Sequence, residues 1–418
     1  MTDTLYILGG KALEGTLTVG GSKNGALPAL AACLLFNGTS HITNVPQIQD
    51  VETMLALLDC AGAKVERDAT GAVIITNNGL HSNHIPAELA AKMRASHYLL
   101  APLVARMGEA SLPMPGGCNL GSRPVDYILD ALKPLGITAD QQEDRIIIKA
   151  GDLRGGKVVL DPHYRSPGAT FSVIMAACLA KGETVIENAC TEPDVISLCE
   201  MLNRAGANIK GAGTYTLRIE GVNRLNGIEH KIPPDRLEAG TFLLAGAASR
   251  GDVTIKDVNR KYLRGFIERL EECGAEVKDT VLEIRVICKK RPAAINIITE
   301  PFPGFPTDLQ PPMMAFLATA KGISRLVETI FDGRMAHAEE LRKMGACIEV
   351  DGRKATIRGV PRLRGAEVEA LNIRAGATLV VAAVAAEGET CLRGIAHLQR
   401  GYEKLEEKLL SLGAQVRR

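Results

Sequence analysis

Residues 266–280 read FIERLEECGAEVKDT. Phe266, Ile267 and Leu270 fall on one side of a helical wheel with charged residues between them, so the run up to Cys273 is an amphipathic helix. Gly274 ends it, because a helix commonly closes on a left-handed residue that glycine adopts without a Cβ clash. The residues after it alternate as a strand does. The same passage recurs at Cys60-Ala-Gly-Ala, Leu135-Gly-Ile, Ala205-Gly-Ala, Met344-Gly-Ala and Leu412-Gly-Ala. Its glycines are 62, 136, 206, 274, 345 and 413, which sets a unit of about 70 residues repeated six times.

A second glycine series, 38, 108, 182, 251, 322 and 388, runs in register with the first and ends another helix in each unit. Strand-like stretches follow it, as in TSHITNV (39–45), ETVIENA (183–189) and DVTIKDV (252–258). The helices that precede it are apolar nearly all round: ALPALAACLLF (26–36), FSVIMAACLA (171–180), TFLLAGAAS (241–249) and TLVVAAVAA (378–386). Such helices are buried on every side, whereas amphipathic runs such as YEKLEEKLLSL (402–412) cover the outside. At 418 residues the chain exceeds one ordinary core. The reading is an α/β protein of closed pseudo-symmetric domains, with helices inside and sheets on flanking faces.

Bulk composition narrows the function. A net charge of +1 with charges scattered along the chain argues against a general nucleic-acid or anionic-membrane surface. No apolar run is long enough for a membrane span, and the N-terminal MTDTLYILGGKALEGTL lacks a signal-peptide pattern. Ten cysteines without a CxxC pair favour neither a disulfide scaffold nor a zinc site, and a reducing cytoplasm is expected. Neither a GxxxxGK[ST] loop nor a GxGxxG strand-turn-helix is present, so no P-loop or Rossmann nucleotide site is indicated.

The openings of the buried helices carry the polar chemistry. Stepping back from the second glycine series reaches Lys23, Arg94, Gly168, Glu238, Asp308 and Arg374, with Ser166 just before Gly168 and Ser22-Lys23-Asn24 together. Helix N-termini present unpaired N–H groups and the positive end of the dipole, which suits anions. Ser22, Ser166 and Thr307 also read as ordinary N-caps. Arg123-Pro124, Arg334 and Arg400 stand before the outer helices. An arginine there opposes the dipole, so several in equivalent places point to a cleft for a substrate bearing phosphates and carboxylates.

One cysteine stands apart. Cys33, Cys60, Cys178 and Cys273 read as small hydrophobes on helices or their ends, and Cys190 sits in a loop without a glycine–proline frame. Cys118 lies in PGGCNLGSRPVD (115–126), five residues before Arg123. A thiol with an ordinary pKa of about 8.5 becomes a thiolate readily beside a cation, so Cys118 is suited to act as acid or nucleophile.

The motifs GSKNGALPAL (21–30), MRAS (93–96), PGGCNLGSRPVD (115–126), SPGAT (166–170), PDRLEAGTF (234–242), FPTD (305–308) and RGY (400–402), together with the six units, resemble the UDP-N-acetylglucosamine 1-carboxyvinyltransferase family of enolpyruvyl transferases. The resemblance runs from about residue 5 to the C-terminus. It implies a two-domain inside-out α/β barrel with three units per domain. Residues 22–232 would form one domain, and 1–21 with 233–418 the other. It implies transfer of the enolpyruvyl group of phosphoenolpyruvate to the sugar 3-hydroxyl with release of phosphate, the step that opens peptidoglycan synthesis.

By the same resemblance Cys118 donates the proton to carbon and can form a covalent phosphoenolpyruvate adduct, and Asp308 is the base at the sugar hydroxyl. Lys23, Asn24, Arg123 and Arg400 map to phosphoenolpyruvate. Asn24, Arg94, Arg123, Pro124, Val125, Asp126, Tyr127, Tyr164, Arg165, Ser166, Pro167, Asp308 and Ile330 map to the UDP-sugar, with Arg334 and Arg374 in support. No cofactor or metal is implied, the partners are the two small-molecule substrates, and a monomer is compatible with the chain. Gln399 and Asn372 stand where the family pattern has acids, which puts support for Arg400 and Arg374 in question. Two other readings remain: the related 3-phosphoshikimate 1-carboxyvinyltransferase, a family that lacks the PGGC loop, and a catalytically silent UDP-sugar-binding paralogue.

Overall fold

The computed structural model of the protein describes residues 3–113 and 125–418, so Cys118, Arg123 and Pro124 lie outside the described residues. Contacts divide these residues into two units, 3–20 with 234–418 and 21–113 with 125–233. In the first unit every residue of the helices Arg236–Ala248 and Gln310–Leu317 is buried, as are Ala375 to Val384 of Ile373–Ala385. These three helices pack on one another, the solution their all-round apolar faces demand. In the second unit Lys23–Ala32 packs on the 3-10 turn Arg94–Leu99, and that turn and the helix Leu100–Met107 it leads into both pack on Pro167–Ala177.

The described strands form six sheets, three in each unit. Two examples show the repeated order. Lys157–Val159 runs parallel to Glu183–Glu187, which pairs antiparallel with Thr216–Glu220, which pairs with Asn208–Lys210. Asn296–Ile298, Ile323–Val327, Lys354–Arg358 and Cys347–Asp351 repeat that order. Each parallel pair brackets one buried helix, a βαβ unit. Among the described residues no sheet closes on itself, so the expected inside-out barrel consists of three open sheets per unit flanking buried helices.

The sixth repeat and the fourth each take a strand from the start of the chain. Thr4–Leu8 pairs antiparallel with Glu389–Arg393 and with Gln415–Arg417, and Glu14–Thr18 runs parallel to Asp252–Lys256. In the second unit Leu225–Asn226 and Glu229–Lys231 run parallel to Phe36–Thr43. All six glycines that end the outer helices have positive φ, between 80° at Gly136 and 110° at Gly62. The other series holds except at Gly251, where Arg250 takes the left-handed position at φ 62° instead.

Gly221, Gly359 and Gly9 each follow the strand that returns to the end of a buried helix. Their N–H groups donate to the carbonyls of Gly182, Gly322 and Gly388 at 3.0–3.1 Å. A Cβ would stand 1.6 Å from Ala180 O at Gly221, 1.8 Å from Ala320 O at Gly359 and 2.0 Å from Ala383 O at Gly9. Gly9→Ala and Gly359→Ala are therefore expected to lower stability by about 1–3 kcal/mol through overpacking against rigid backbone. Gly151→Ala, where a Cβ meets nothing within 4 Å, serves as the neutral control. Urea unfolding reads the difference, and equal midpoints for all three variants would contradict the close approach.

Candidate active site

Three helix openings meet in the unit built from 3–20 and 234–418. Asp235 caps Arg236–Ala248, its carboxylate accepting from the N–H groups of Leu237 and Glu238. Asp308 lies in the 3-10 turn Thr307–Leu309 that leads into Gln310–Leu317, and Arg374 is the second residue of Ile373–Ala385. One Asp308 oxygen accepts from Arg374 Nη2 at 2.6 Å and the other from Arg334 Nη2. The guanidinium-bearing side chains are only 2% and 14% exposed for Arg334 and Arg374.

This geometry sets the charges. Burial pushes the Asp308 carboxyl up, but the Arg374 and Arg334 guanidiniums outweigh it and hold it well below the usual carboxylate range. Burial pulls Arg374 down, and Asp308, with Tyr402 and Asp235 beyond it, more than restores the charge. Tyr402, from the RGY motif, is buried and shares a 2.9 Å hydrogen bond with Thr241. Arg334 stands 5.1 Å from the Phe331 ring centroid, and its Nε has no hydrogen-bond partner among the described residues. His337, three residues on, is fully enclosed. Burial, then the Arg334 charge, pushes it down to about 3, so it is a neutral packing group at ordinary pH.

Arg334 and Arg400 stand ahead of the outer helices His337–Lys343 and Leu405–Ser411, not inside their first turns. Arg400 follows the short helix Ala396–Gln399, at whose end Gln399 sits. Asn372 accepts from the N–H groups of Arg374 and Ala375, so the amide caps the helix that carries Arg374. An acid there is unnecessary because asparagine is an equally good N-cap.

In the other unit Ser22 caps Lys23–Ala32 by accepting from Gly25 N–H, and its hydroxyl donates to Asp194 at 2.7 Å. Lys23 opens that helix and pairs with Asp50 at 2.6 Å, with side-chain exposures of 14% and 5%. Asn24, beside it, is half-buried. Arg94 opens its 3-10 turn, and its carbonyl lies 2.6 Å from His97 Nδ1. Burial pushes His97 down to about 4, and its neutral ring packs over the first turn of Pro167–Ala177. Ser166 caps that helix by accepting from Ala169 N–H at 3.2 Å, and Pro167 is its first residue.

An aromatic face lies beside this cap. The Tyr127 and Tyr164 rings are 5.5 Å apart, and the Arg165 guanidinium sits 4.1 Å from the Tyr215 centroid, with Arg165 itself at φ 42°. Val125 is buried ahead of the helix Asp126–Leu132, while Asp126 and Tyr127 are exposed. Asp50, Asp194, Asp235, His97, Tyr402 and Glu328 are neighbours of these groups that sequence reasoning did not single out. Asp50 gives no distinct signal, since an acid in the first turn of an amphipathic helix reads as a dipole complement. Among the described residues no cluster of metal-ligating side chains occurs, and no helix is long and apolar enough to cross a membrane.

The family model of EPSP synthase (3-phosphoshikimate 1-carboxyvinyltransferase) matches residues 7–409. UDP-N-acetylglucosamine 1-carboxyvinyltransferase 3 of Symbiobacterium thermophilum is 47% identical over 414 residues, covering 99% of this chain and 97% of the relative. UDP-N-acetylglucosamine 1-carboxyvinyltransferase 1 of Carboxydothermus hydrogenoformans is 44% identical over 416 residues, covering 100% and 98%. Among solved structures, the enolpyruvyl transferase NikO from Streptomyces tendae superposes with a TM-score of 0.89 at 25% identity, covering 99% of this chain and 98% of that one. EPSP synthase from Acinetobacter baumannii gives 0.75 at 20% identity over 99% and 100%, a likeness of fold.

The Asp308 pair has a signed pH consequence. Its folded-state pKa lies below the unfolded value of about 3.9, so its contribution to stability is full above that value and fades as pH falls through the folded one. The stability gap between wild type and Asp308→Asn is expected to hold constant from about pH 8 to 5 and to narrow below about pH 4. Urea midpoints across pH measure it, and a gap that widens on acidification would contradict the pairing.

Proposed function

The chain belongs to the family of EPSP synthase and UDP-N-acetylglucosamine 1-carboxyvinyltransferase, and from that membership we infer that it moves the enolpyruvyl group of phosphoenolpyruvate onto the 3-hydroxyl of UDP-N-acetylglucosamine. Phosphate is the other product, and the reaction opens peptidoglycan synthesis. Relatives at 43–47% identity over nearly the whole chain carry that name. This is the observation on which the reading chiefly rests.

The chemistry is addition then elimination. A proton goes to the methylene carbon of phosphoenolpyruvate, and the neighbouring carbon becomes electrophilic. The sugar hydroxyl attacks that carbon and gives up its proton, forming a tetrahedral adduct. The methylene-derived carbon then loses a proton as phosphate leaves, and the enol ether remains. The acid role is assigned to Cys118, since a thiol beside a cation gives up its proton more readily and Arg123 follows it by five residues in the sequence. The base role is assigned to Asp308, and Lys23, Arg123 and Arg400 are assigned to the anionic ends of phosphoenolpyruvate.

The described geometry adds a condition to the base role. Both Asp308 oxygens are engaged by arginines, which makes the carboxylate a weak base at rest. An anionic substrate competing for Arg334 or Arg374 loosens one contact and restores basicity where the hydroxyl proton is lost. Tyr127, Tyr164 and Arg165 offer stacking surface and a cation, chemistry suited to a uridine and its diphosphate, and this supports the UDP-sugar assignment of the segment Tyr164–Pro167. Asn24, Arg94, Val125, Asp126 and Ile330 keep their proposed places on that substrate. Nine free thiols among the described residues accord with a reducing compartment, and the cytoplasm is the proposed location.

The test is phosphate release from phosphoenolpyruvate with UDP-N-acetylglucosamine against shikimate 3-phosphate as acceptor. Release with the first alone is expected. Release with the second alone would move the chain to the shikimate reaction, and UDP-sugar binding without release would make it a silent paralogue. Cys118→Ala is expected to abolish turnover while leaving UDP-N-acetylglucosamine binding intact, because it removes an acid and not a recognition group. Wild-type turnover in that variant would overturn the acid assignment.

A further inference from the structure

Glu328 is a fully buried carboxylate at the end of the strand Ile323–Val327. Burying an ionised carboxylate costs several kcal/mol unless hydrogen bonds compensate it. Here four donors converge on it. Oε1 accepts from the Ile330 N–H at 2.8 Å, the Phe331 N–H at 3.2 Å and the Thr299 hydroxyl at 3.0 Å. Oε2 accepts from the Thr307 hydroxyl at 2.9 Å. The donors come from three separate pieces of chain. Thr299 follows the strand Asn296–Ile298, Thr307 precedes Asp308 in its 3-10 turn, and Ile330–Phe331 begin the loop that carries Arg334.

We propose that Glu328 is a positioning residue for the reaction, tying the turn that presents Asp308 to the loop that presents Arg334 through one carboxylate. The bond from Thr307 fixes where Asp308 leaves its turn, and the bonds from Ile330 and Phe331 fix where the Arg334 loop starts. The contact between Asp308 and Arg334 then depends on a carboxylate whose hydrogen bonds go to Thr299, Thr307, Ile330 and Phe331. A loop held only by exposed side chains would let the base wander, and misplacement of about 1 Å costs about a hundredfold in rate. Glu328 is thus a charge buried for alignment, since packing alone would favour an apolar residue in a site with no exposure.

The inference rests on the enolpyruvyl-transfer reading and on Asp308 as its base, and the experiment separates the two. Thr307→Val removes only the bond between the Asp308 turn and Glu328 Oε2, and Thr307→Ser keeps the hydroxyl. Glu328→Gln keeps an acceptor at Oε1 and offers an amide to the Thr307 hydroxyl, which rotates to accept; Glu328→Ala removes the whole link. Steady-state rates with phosphoenolpyruvate and UDP-N-acetylglucosamine, thermal midpoints and UDP-sugar dissociation constants are measured for these four, for Asp308→Ala and for wild type.

Thr307→Val is expected to lose about 10- to 100-fold in kcat with UDP-sugar affinity and thermal midpoint near wild type. Thr307→Ser and Glu328→Gln are expected to recover most of the rate, and Glu328→Ala to fall at least as far as Thr307→Val. Wild-type kcat in Thr307→Val overturns the inference, and so does a Glu328→Gln as slow as Glu328→Ala. If those results accompany an inactive Asp308→Ala, the enolpyruvyl-transfer reading stands and the positioning role alone falls. A wild type without turnover overturns the reading itself, and the inference with it.

Discussion

A helix buried on every side meets polar chemistry only at its ends. In the unit of 3–20 and 234–418 that constraint gathers Asp235, Asp308 and Arg374, because each lies at or beside the opening of one of three helices that pack on one another. An arginine at a helix N-terminus opposes the dipole, so Arg374 is held by the carboxylate that the neighbouring opening supplies. Arg334 takes the other oxygen of the same carboxylate. Two guanidiniums there face the carboxylates of Asp308 and, further off, Asp235, so the charges at the openings balance one another. The same packing that makes the core therefore sets the charge of the site.

The three sheets around those helices are not finished by the segment that starts them. Thr4–Leu8 supplies the middle of the last sheet, beside Glu389–Arg393, and Glu14–Thr18 the parallel strand of the sheet of Asp252–Lys256. Gly9 lets the first strand lie against the backbone at Ala383 and Ala386 with no room for a side chain. Pairing across nearly the full chain length is slow to form, since loop closure is paid before the contact rewards it. This unit can be completed only once the segments 4–18 and 389–417 are both present.

Much of this was legible in the residues. The two glycine series and the all-apolar helices 171–180, 241–249 and 378–386 reported units, buried helices and outer helices, because left-handed helix ends and full burial each demand particular residue types. Lys23, Arg94, Asp308 and Arg374 follow from their spacing because a buried helix meets polar chemistry only at its ends. Arg250 in place of Gly251 is not legible in the sequence because a left-handed arginine leaves no composition signal. Periodicity gives no sign of which strand fills the middle of the last sheet. Glu328 within LVETIF reads as an ordinary charge at a strand end, and only the convergence of Thr299, Thr307, Ile330 and Phe331 distinguishes it. Asp50 and Asp194 are invisible for the same reason: what defines them is a partner distant in sequence, Lys23 or Ser22.

In the proposed addition–elimination a weak resting base, an acid on a glycine-framed segment and cations for an anionic substrate act together. Its most direct test follows atoms. Phosphoenolpyruvate labelled with 13C at the carbon that bears the phosphate is incubated with the protein and UDP-N-acetylglucosamine in deuterium oxide, and the product is read by NMR. The account predicts the label in an enol ether on the sugar 3-oxygen, with deuterium entering its methylene group. A label that stays in phosphoenolpyruvate, or a product whose methylene never exchanges, would contradict it.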